Sequence, residues 1–384
     1  MVRGNTRNRL FRLISLALLL ALVLPSAATE VAKADPDPGW YDTSWSYRKK
    51  ITINHTKVPN TNQTNFPVLI NRTDTDWTDT ANGGHDGGDI LFTSSDGTTK
   101  LDHEIEKYVP STGELIAWVE VPAVSASVDT EIYIYYGYAA TSDQWNVTGT
   151  WDSNFKMVQH LEETSGHHMD STENDNDSTM ESVTTQGSAT GKINGADDFD
   201  GSNDYVQVPD HSSLDISPTI TIEMWIKPDE LADRVLIHKY HAYTMEIWND
   251  GSFGGMIYKP GGGTAKVESG EDTMSAGSWN HIVFRYEKSA GEAELFLNGT
   301  AVGTKTYSGD IHTSDIEVFI GSDDTPSCFF DGTIDEVRIS ETARSADWIK
   351  TCYNNQSDTG VFYSASFEFV RYIESMHNDS LQRI

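Results

Sequence analysis

Apolar and polar residues alternate through most of this chain, and turn signals close nearly every alternating run. In SYRKKITIN, Ser46 to Asn54, the residues Tyr47, Lys49, Ile51 and Ile53 share one face, which is the period-two pattern of a half-buried strand. FPVLIN, Phe66 to Asn71, is a short continuous apolar run of the buried-strand type. DILFTSSDGTTKLDHEIEKYV, Asp89 to Val109, reads as two strands about the Asp96-Gly97 turn, and LIAWVEVP and TEIYIYYG supply two more. No segment here keeps a helical period for three turns. Residues 40–140 are therefore expected to form an antiparallel β-sandwich.

A short polar linker, residues 141–150, precedes a second region. WDSNFKMVQHLEE, Trp151 to Glu163, opens it with a strand, whereas Thr164 to Gly195 is rich in Asp, Asn, Ser, Thr and Gly and reads as an exposed loop. TITIEMWIKP, Thr219 to Pro228, places Ile220, Ile222, Met224 and Ile226 on one face and Glu223 and Trp225 on the other. YTMEIWNDGSFGGMIY folds about Asn249-Asp250-Gly251 and AELFLNGTAVG about Asn298-Gly299, both strong hairpin signals. FDGSNDYVQVP, Phe199 to Pro209, and CFFDGTIDEVRIS, Cys328 to Ser340, each set an Asp-Gly turn before an alternating strand. The single convincing helix is ADWIKTCY, with Ser345 as its N-cap. The reading is all-β: an N-terminal sandwich, a second sandwich over 151–358, and a tail, 359–384, that fits neither.

Length and charge narrow the function. A chain of 384 residues accommodates two domains and a targeting segment, and a net charge of -31 lacks the clustered Lys and Arg that a nucleic-acid surface requires. Arg3, Arg7, Arg9 and Arg12 precede an apolar run from Leu13 to Leu24 that ends at Pro25. That is the layout of an export signal, with a small-x-small cleavage site at Ala32-Lys33-Ala34, or after Ala28, that makes 1–34 a leader. No later stretch is apolar enough to cross a membrane, so a secreted, extracellular and cell-surface-associated protein is expected. Cys328 and Cys352 are the two cysteines, and an oxidising compartment would let them pair. Asn54, Asn62, Asn71, Asn146, Asn176, Asn298, Asn355 and Asn378 each head an Asn-x-Ser/Thr glycosylation acceptor.

WYDTSWSYRKKITIN, FPVLI, DGGDILFTSSDG, LIAWVEVP and IYIYYG, in that order, resemble the exported domain-of-unknown-function family 2341. That resemblance implies an extracellular β-rich module and carries over no catalytic residue. FDGSNDYVQVP, TIEMWIKP, SWNHIVFRY, LFLNG and FFDGTIDEVRIS, followed by SADWIK, are similar to the laminin-G-like, concanavalin-A-like jelly-roll superfamily. This second resemblance implies two curved antiparallel sheets, frequent carbohydrate or protein binding and, in some branches, calcium. In the related pentraxin branch an acidic cluster of a late loop holds the ion. Asp323 and Asp324 are the carboxylates here that answer to it, and Asp335 is an alternative structural ligand. The Asp-Asn pair of the earlier loop has no counterpart in HKYHAYT, His238 to Thr244.

Candidate chemistry is sparse. Tyr240, His241 and Tyr243, placed in a loop, are the aromatic candidates for stacking on a sugar face. Trp225 and Trp279 read as core or inter-sheet packing, and Trp248 is left open between packing and binding. Asp102, Glu104 and Glu106 project from one strand face by alternation, as the carboxylates of a jelly-roll glycosidase would, although a solvated acidic face is the stronger reading. Asp335 and Glu336 fall on opposite faces. His167 and His168 beside Asp170 read as loop residues, and His238 and His241 form an HxxH pair lacking a nearby third ligand. The best reading has no catalytic site: an exported adhesion or binding protein whose partner is a glycan or a surface protein. The alternatives are a secreted glycoside hydrolase using Asp102, Glu104 and Glu106, and a structural envelope spacer.

Overall fold

In the computed structural model, which describes residues 39–78, 87–138, 142–325 and 327–370, the alternating runs are strands. The expected leader and the acceptor Asn378 lie outside the described residues.

The first sandwich faces a three-stranded sheet, Gln63–Thr73, Glu114–Val124 and His103–Val109, against a five-stranded one. The second sheet contains Tyr47–Ile53, Thr130–Tyr136, Leu91–Ser94 and Lys100–Leu101. Its outer strand comes from the far end of the chain. Tyr363–Val370 pairs antiparallel with Tyr47–Ile53, so the segment expected to match neither domain completes the first. Its start, Tyr363-Ser364-Ala365-Ser366, has weak apolar contrast, and its partner lies some three hundred residues earlier. Local pattern carries no such long-range pairing.

The second sandwich is the jelly roll. An eight-stranded sheet packs on a seven-stranded one, and Ile220, Ile222, Met224 and Ile226 all lie in the core between them, as alternation requires. The strand Asp331–Ser340 pairs with Gly195–Asp200, Thr219–Pro228 and Phe155–Gln159. Of the two Asp-Gly pairs only the first is a turn: Gly201 has φ +70° and donates its N–H to Phe330 O at 3.0 Å, whereas Asp331 and Gly332 already belong to the strand.

Two helices join the sandwiches. The first, α1, spans Ala346–Ser357 and is capped by Ser345, whose side chain accepts from Trp348 N; the second, α2, is the single turn Thr359–Phe362. The Trp348 ring meets Phe66 edge-on at 4.8 Å. Asn355 satisfies both backbone groups of Leu69, accepting from its N–H at 2.7 Å and donating to its carbonyl at 3.0 Å. Trp151, Phe155, Val158, Ile193, Trp348 and Phe362 enter the same apolar cluster as Phe66, Trp118 and Ile134 of the first sandwich. The two domains share a core.

Several expectations change with this packing. Cys352 is buried in the shared core, while Cys328 is exposed in the loop whose carbonyl accepts from Val235 N; both are free thiols. Between Thr164 and Gly195 the chain is not an exposed loop throughout: His168, Asp170, Ser171, Thr172, Asn176 and Ser178 are buried, held by side-chain to backbone hydrogen bonds. Asn176 and Asn355 use their amides inside the fold, which leaves them unsuited as glycan acceptors once the chain has folded. Trp225 is buried as expected, but against Tyr353 of α1 rather than between the sheets; Trp279 and Trp248 are half-buried.

Trp348→Ala removes the ring that bridges the shared core and is expected to lower stability by about 3–5 kcal/mol. Because the core is common, urea unfolding followed by fluorescence and far-ultraviolet circular dichroism should show one shifted transition. Two separated transitions, one of them unmoved, would contradict a shared core.

Candidate functional site

The hairpin Arg234–Lys239 and Tyr243–Ile247 turns through Tyr240 and His241, with Ala242 N donating to Lys239 O at 2.9 Å. His241 adopts φ +63°, a left-handed conformation that costs a non-glycine residue on the order of 1 kcal/mol. The turn places the Tyr240 and His241 rings in a 3.8 Å stack. Tyr258 stands 6.1 Å from Tyr240 and 5.7 Å from His241, and His312 lies 6.1 Å from His241. A backbone bond and a side-chain to backbone bond hold this group: His312 N donates to Tyr258 O, and Ser314 Oγ donates to Tyr240 O. Tyr240 is 37% exposed and His241 is exposed. Tyr258 and His312, which the loop pattern did not suggest, complete the surface.

Tyr243 does not belong to it. As the first residue of the returning strand it points inward, is fully buried, and donates its hydroxyl to Leu214 O at 3.3 Å. A core role replaces the expected ligand contact.

The two acidic residues of the late loop part company. Asp323 accepts from Ser327 N at 2.8 Å, Ser327 Oγ at 2.6 Å and Thr325 N at 3.2 Å, closing its own turn. Asp324 Oδ1 instead lies 3.6 Å from Nε2 of His238, whose ring is buried and forms no hydrogen bond at either nitrogen. Burial lowers the pKa of His238, against the pull of Asp324 and Asp323. His238 and His241 thus diverge, one into the strand and one outward.

A second group of chemically able residues lies at the junction of the sandwiches, and two β-bulges build it. Glu106 is the extra residue where the pairing of His103–Val109 with Glu114–Val124 shifts register. Glu336 lies in the corresponding shift between Asp331–Ser340 and Thr219–Pro228, with φ +56°. The bulge overrides the alternation that would have separated Asp335 from Glu336. Burial and then the Glu336 charge raise Asp335 well above the usual carboxylate range, while burial also opposes charge on Glu336 but His160 and Arg338 outweigh it and lower its pKa.

His160 occupies the centre. Its Nδ1 is 2.8 Å from Glu336 Oε1 and 3.7 Å from Glu106 Oε2, and its Nε2 is 3.4 Å from Glu104 Oε2. Trp118 Nε1 donates to Glu106 at 2.9 Å, while Trp151 Nε1 and Ser171 Oγ donate to Glu104 at 2.8 and 2.7 Å. The Arg338 guanidinium stacks over Trp118 and Trp151, pairs with Glu336, and lies 3.6 Å from Glu223. Burial pushes Glu106 up to about 8 and Glu162 up to about 7. Burial opposes charge on His160, but Glu336, Glu104 and Glu106 outweigh it and raise its pKa. Glu104 and Glu106 do converge, yet in the interior, and the solvated acidic face expected for them does not exist. Asp102 stays near the surface, accepting from Asn146 Nδ2. His168 is likewise buried, between Glu163 at 2.7 Å and Asp197 at 2.8 Å, rather than free in a loop.

Near this junction a polar cleft of about 550 Å³ opens beside Asn62, Glu120, Asp152 and Arg344. Its one lining aromatic, Trp348, is buried, so it offers no ring face to a ligand.

Comparison with known proteins gives two family matches, the more N-terminal of which runs past residues 141–150 into the strand Phe155–Gln159. Residues 200–350 match the family model of the concanavalin A-like lectin/glucanases superfamily, and residues 86–179 match that of domain of unknown function 2341. The chain carries a 2341-type module followed by a concanavalin A-like jelly roll. No curated protein matches it. Among solved structures it is similar to the binding domain of Paraclostridial Mosquitocidal Protein 1, with 13% identity, 52% of each chain covered and a TM-score of 0.43. It is also similar to the botulinum neurotoxin serotype D ligand binding domain in complex with N-acetylneuraminic acid, with 11% identity, 55% of this chain and 53% of that one covered, and a TM-score of 0.42. The match spans about half the length of those structures. The concanavalin A-like module supports a binding role, and no helix among the described residues is long and apolar enough to cross a membrane.

His103, next to Glu104 on the same strand and facing the other way, supplies a test of the interior of the first sandwich. Its ring is fully buried edge-on to Phe92 at 5.1 Å, and burial lowers its pKa from 6.5 to about 4. The unfolded chain takes up a proton below about pH 6.5 while the folded chain does not until about pH 4. Stability from this group is therefore complete above pH 6.5 and is lost as pH falls across that window, by about 3 kcal/mol in all. In His103→Gln the slope of unfolding free energy between pH 4 and 6.5 should flatten by that amount; an unchanged slope would contradict the assignment.

Proposed function

We propose that this chain is an exported binding protein that works outside the cell, and that its jelly roll engages a glycan or the glycan of a surface protein through the Tyr240, His241, Tyr258 and His312 ring group. The observation that carries this reading is the exposed Tyr240-His241 stack. The two rings stack face to face at a strained turn and keep polar atoms at their rims; exposed aromatic rings of this kind pack on a pyranose face and meet its hydroxyls. Strain kept at a surface turn is the kind of outlier found at ligand clamps.

The hydrolase alternative loses ground on geometry. A glycosidase needs its two carboxylates on either side of a bond in an open groove, whereas Glu104 and Glu106 are held by Trp and Ser donors beneath the domain junction. A calcium ion at Asp323 and Asp324 is not needed for this reading, since the rings are positioned by protein hydrogen bonds.

Glycan-array binding by the unmodified protein should fall at least tenfold in Tyr240→Ala, with the thermal midpoint nearly unchanged because the side chain is exposed. Binding that survives both Tyr240→Ala and His241→Ala would remove the ring group as the site. Silence on all glycans would favour a spacer.

A further inference from the structure

We propose that Glu106, His160 and Glu336 form a divalent transition-metal site, suited to Zn²⁺, buried between the two sandwiches. Among the described residues these three side chains form a set in which one ligand atom from each lies within 4.8 Å of the others. His160 Nδ1 is 2.8 Å from Glu336 Oε1 and 3.7 Å from Glu106 Oε2. Donor atoms about 2.0–2.1 Å from one tetrahedral zinc ion stand about 3.3 Å apart, so small side-chain shifts bring the set onto an ion.

Three further features point to a cation. Glu106 Oε1 has no hydrogen-bond partner although its side chain is 1% exposed, and a buried carboxylate oxygen left bare is costly unless a positive charge meets it. The opposite ring nitrogen of His160 faces Glu104, whose carboxylate is fixed by Trp151 and Ser171; a carboxylate behind a histidine is the usual outer support of a metal ligand. Finally, Glu104, Glu106, Glu223, Asp335 and Glu336 gather around Arg338 and His160, an excess of acidic over basic groups in the interior. Arg338 engages the other oxygen of Glu336 and so leaves Oε1 to the site. One imidazole with two carboxylates selects a transition ion over calcium or magnesium.

Glu106 belongs to the first sandwich, His160 and Glu336 to the second. The ion would thus act as a staple across the junction, separate from the ring group on the other sheet and independent of what that group binds.

The full chain, stripped by chelator, reloaded with Zn²⁺ and dialysed, should retain one equivalent by elemental analysis and melt at a higher temperature than the stripped form. Glu106→Gln should bind Zn²⁺ at least tenfold more weakly, and Tyr240→Ala should bind it normally. X-ray absorption at the zinc edge of the loaded wild type should show an imidazole in the ligand shell, a readout that stands even where Glu106→Gln fails to fold. No retained zinc with no thermal shift in the wild type, equal retention by folded Glu106→Gln, or a shell without imidazole would each overturn the site.

Discussion

The structure depends on burying a sheet face that polar residues occupy. One face of the jelly roll's eight-stranded sheet is apolar and packs on its partner sheet; the other carries Glu223, Trp225, Asp335, Glu336 and Arg338. In a free sandwich this second face would be solvated. Here the first sandwich and helix α1 cover it, so each charge has had to find a neighbour or remain costly. The apolar contacts of Trp151, Phe155, Trp348 and Phe362 around the polar patch provide the driving force, and the ion pairs and indole donors within it set the register of one domain on the other.

This arrangement separates the braced junction from the proposed recognition surface. The junction lies on the eight-stranded sheet, whereas the Tyr240-His241 turn extends from a hairpin of the seven-stranded one. The ring group proposed as the binding surface therefore sits on a sandwich whose far side is braced. Loops tolerate variation where a scaffold is fixed, and the neighbouring Tyr258 and His312 come from two other segments of the same layer.

The sandwiches were legible in the sequence because period-two alternation is local: the face of Ile220, Ile222, Met224 and Ile226 can be read from ten consecutive letters. The Ser345 cap and α1 were legible for the same reason. The site was not. Glu336 reaches the junction through a β-bulge, which inverts the inside and outside assignment of the residues around it without leaving a composition signal, and alternation alone does not say that the face shared by Glu104 and Glu106 is buried. Tyr243 looked like a loop aromatic because the returning strand begins inside the stretch His238 to Thr244 that reads as a loop, and Cys328 and Cys352 looked like a pair although one faces solvent and the other the shared core. His160 could have been noticed only by asking what the acidic strand opposite it required.

The closure of Tyr363–Val370 on Tyr47–Ile53 has a consequence for how the protein is made. As the chain emerges from its N-terminus, the first sandwich is threaded out with one edge of its larger sheet unpaired, and it stays so until more than two hundred further residues have followed. An open edge is an invitation to pair with a neighbour. Maturation of the first domain is consequently timed by completion of the second, which makes Tyr363–Val370 a clasp that fastens only when the whole second sandwich is present.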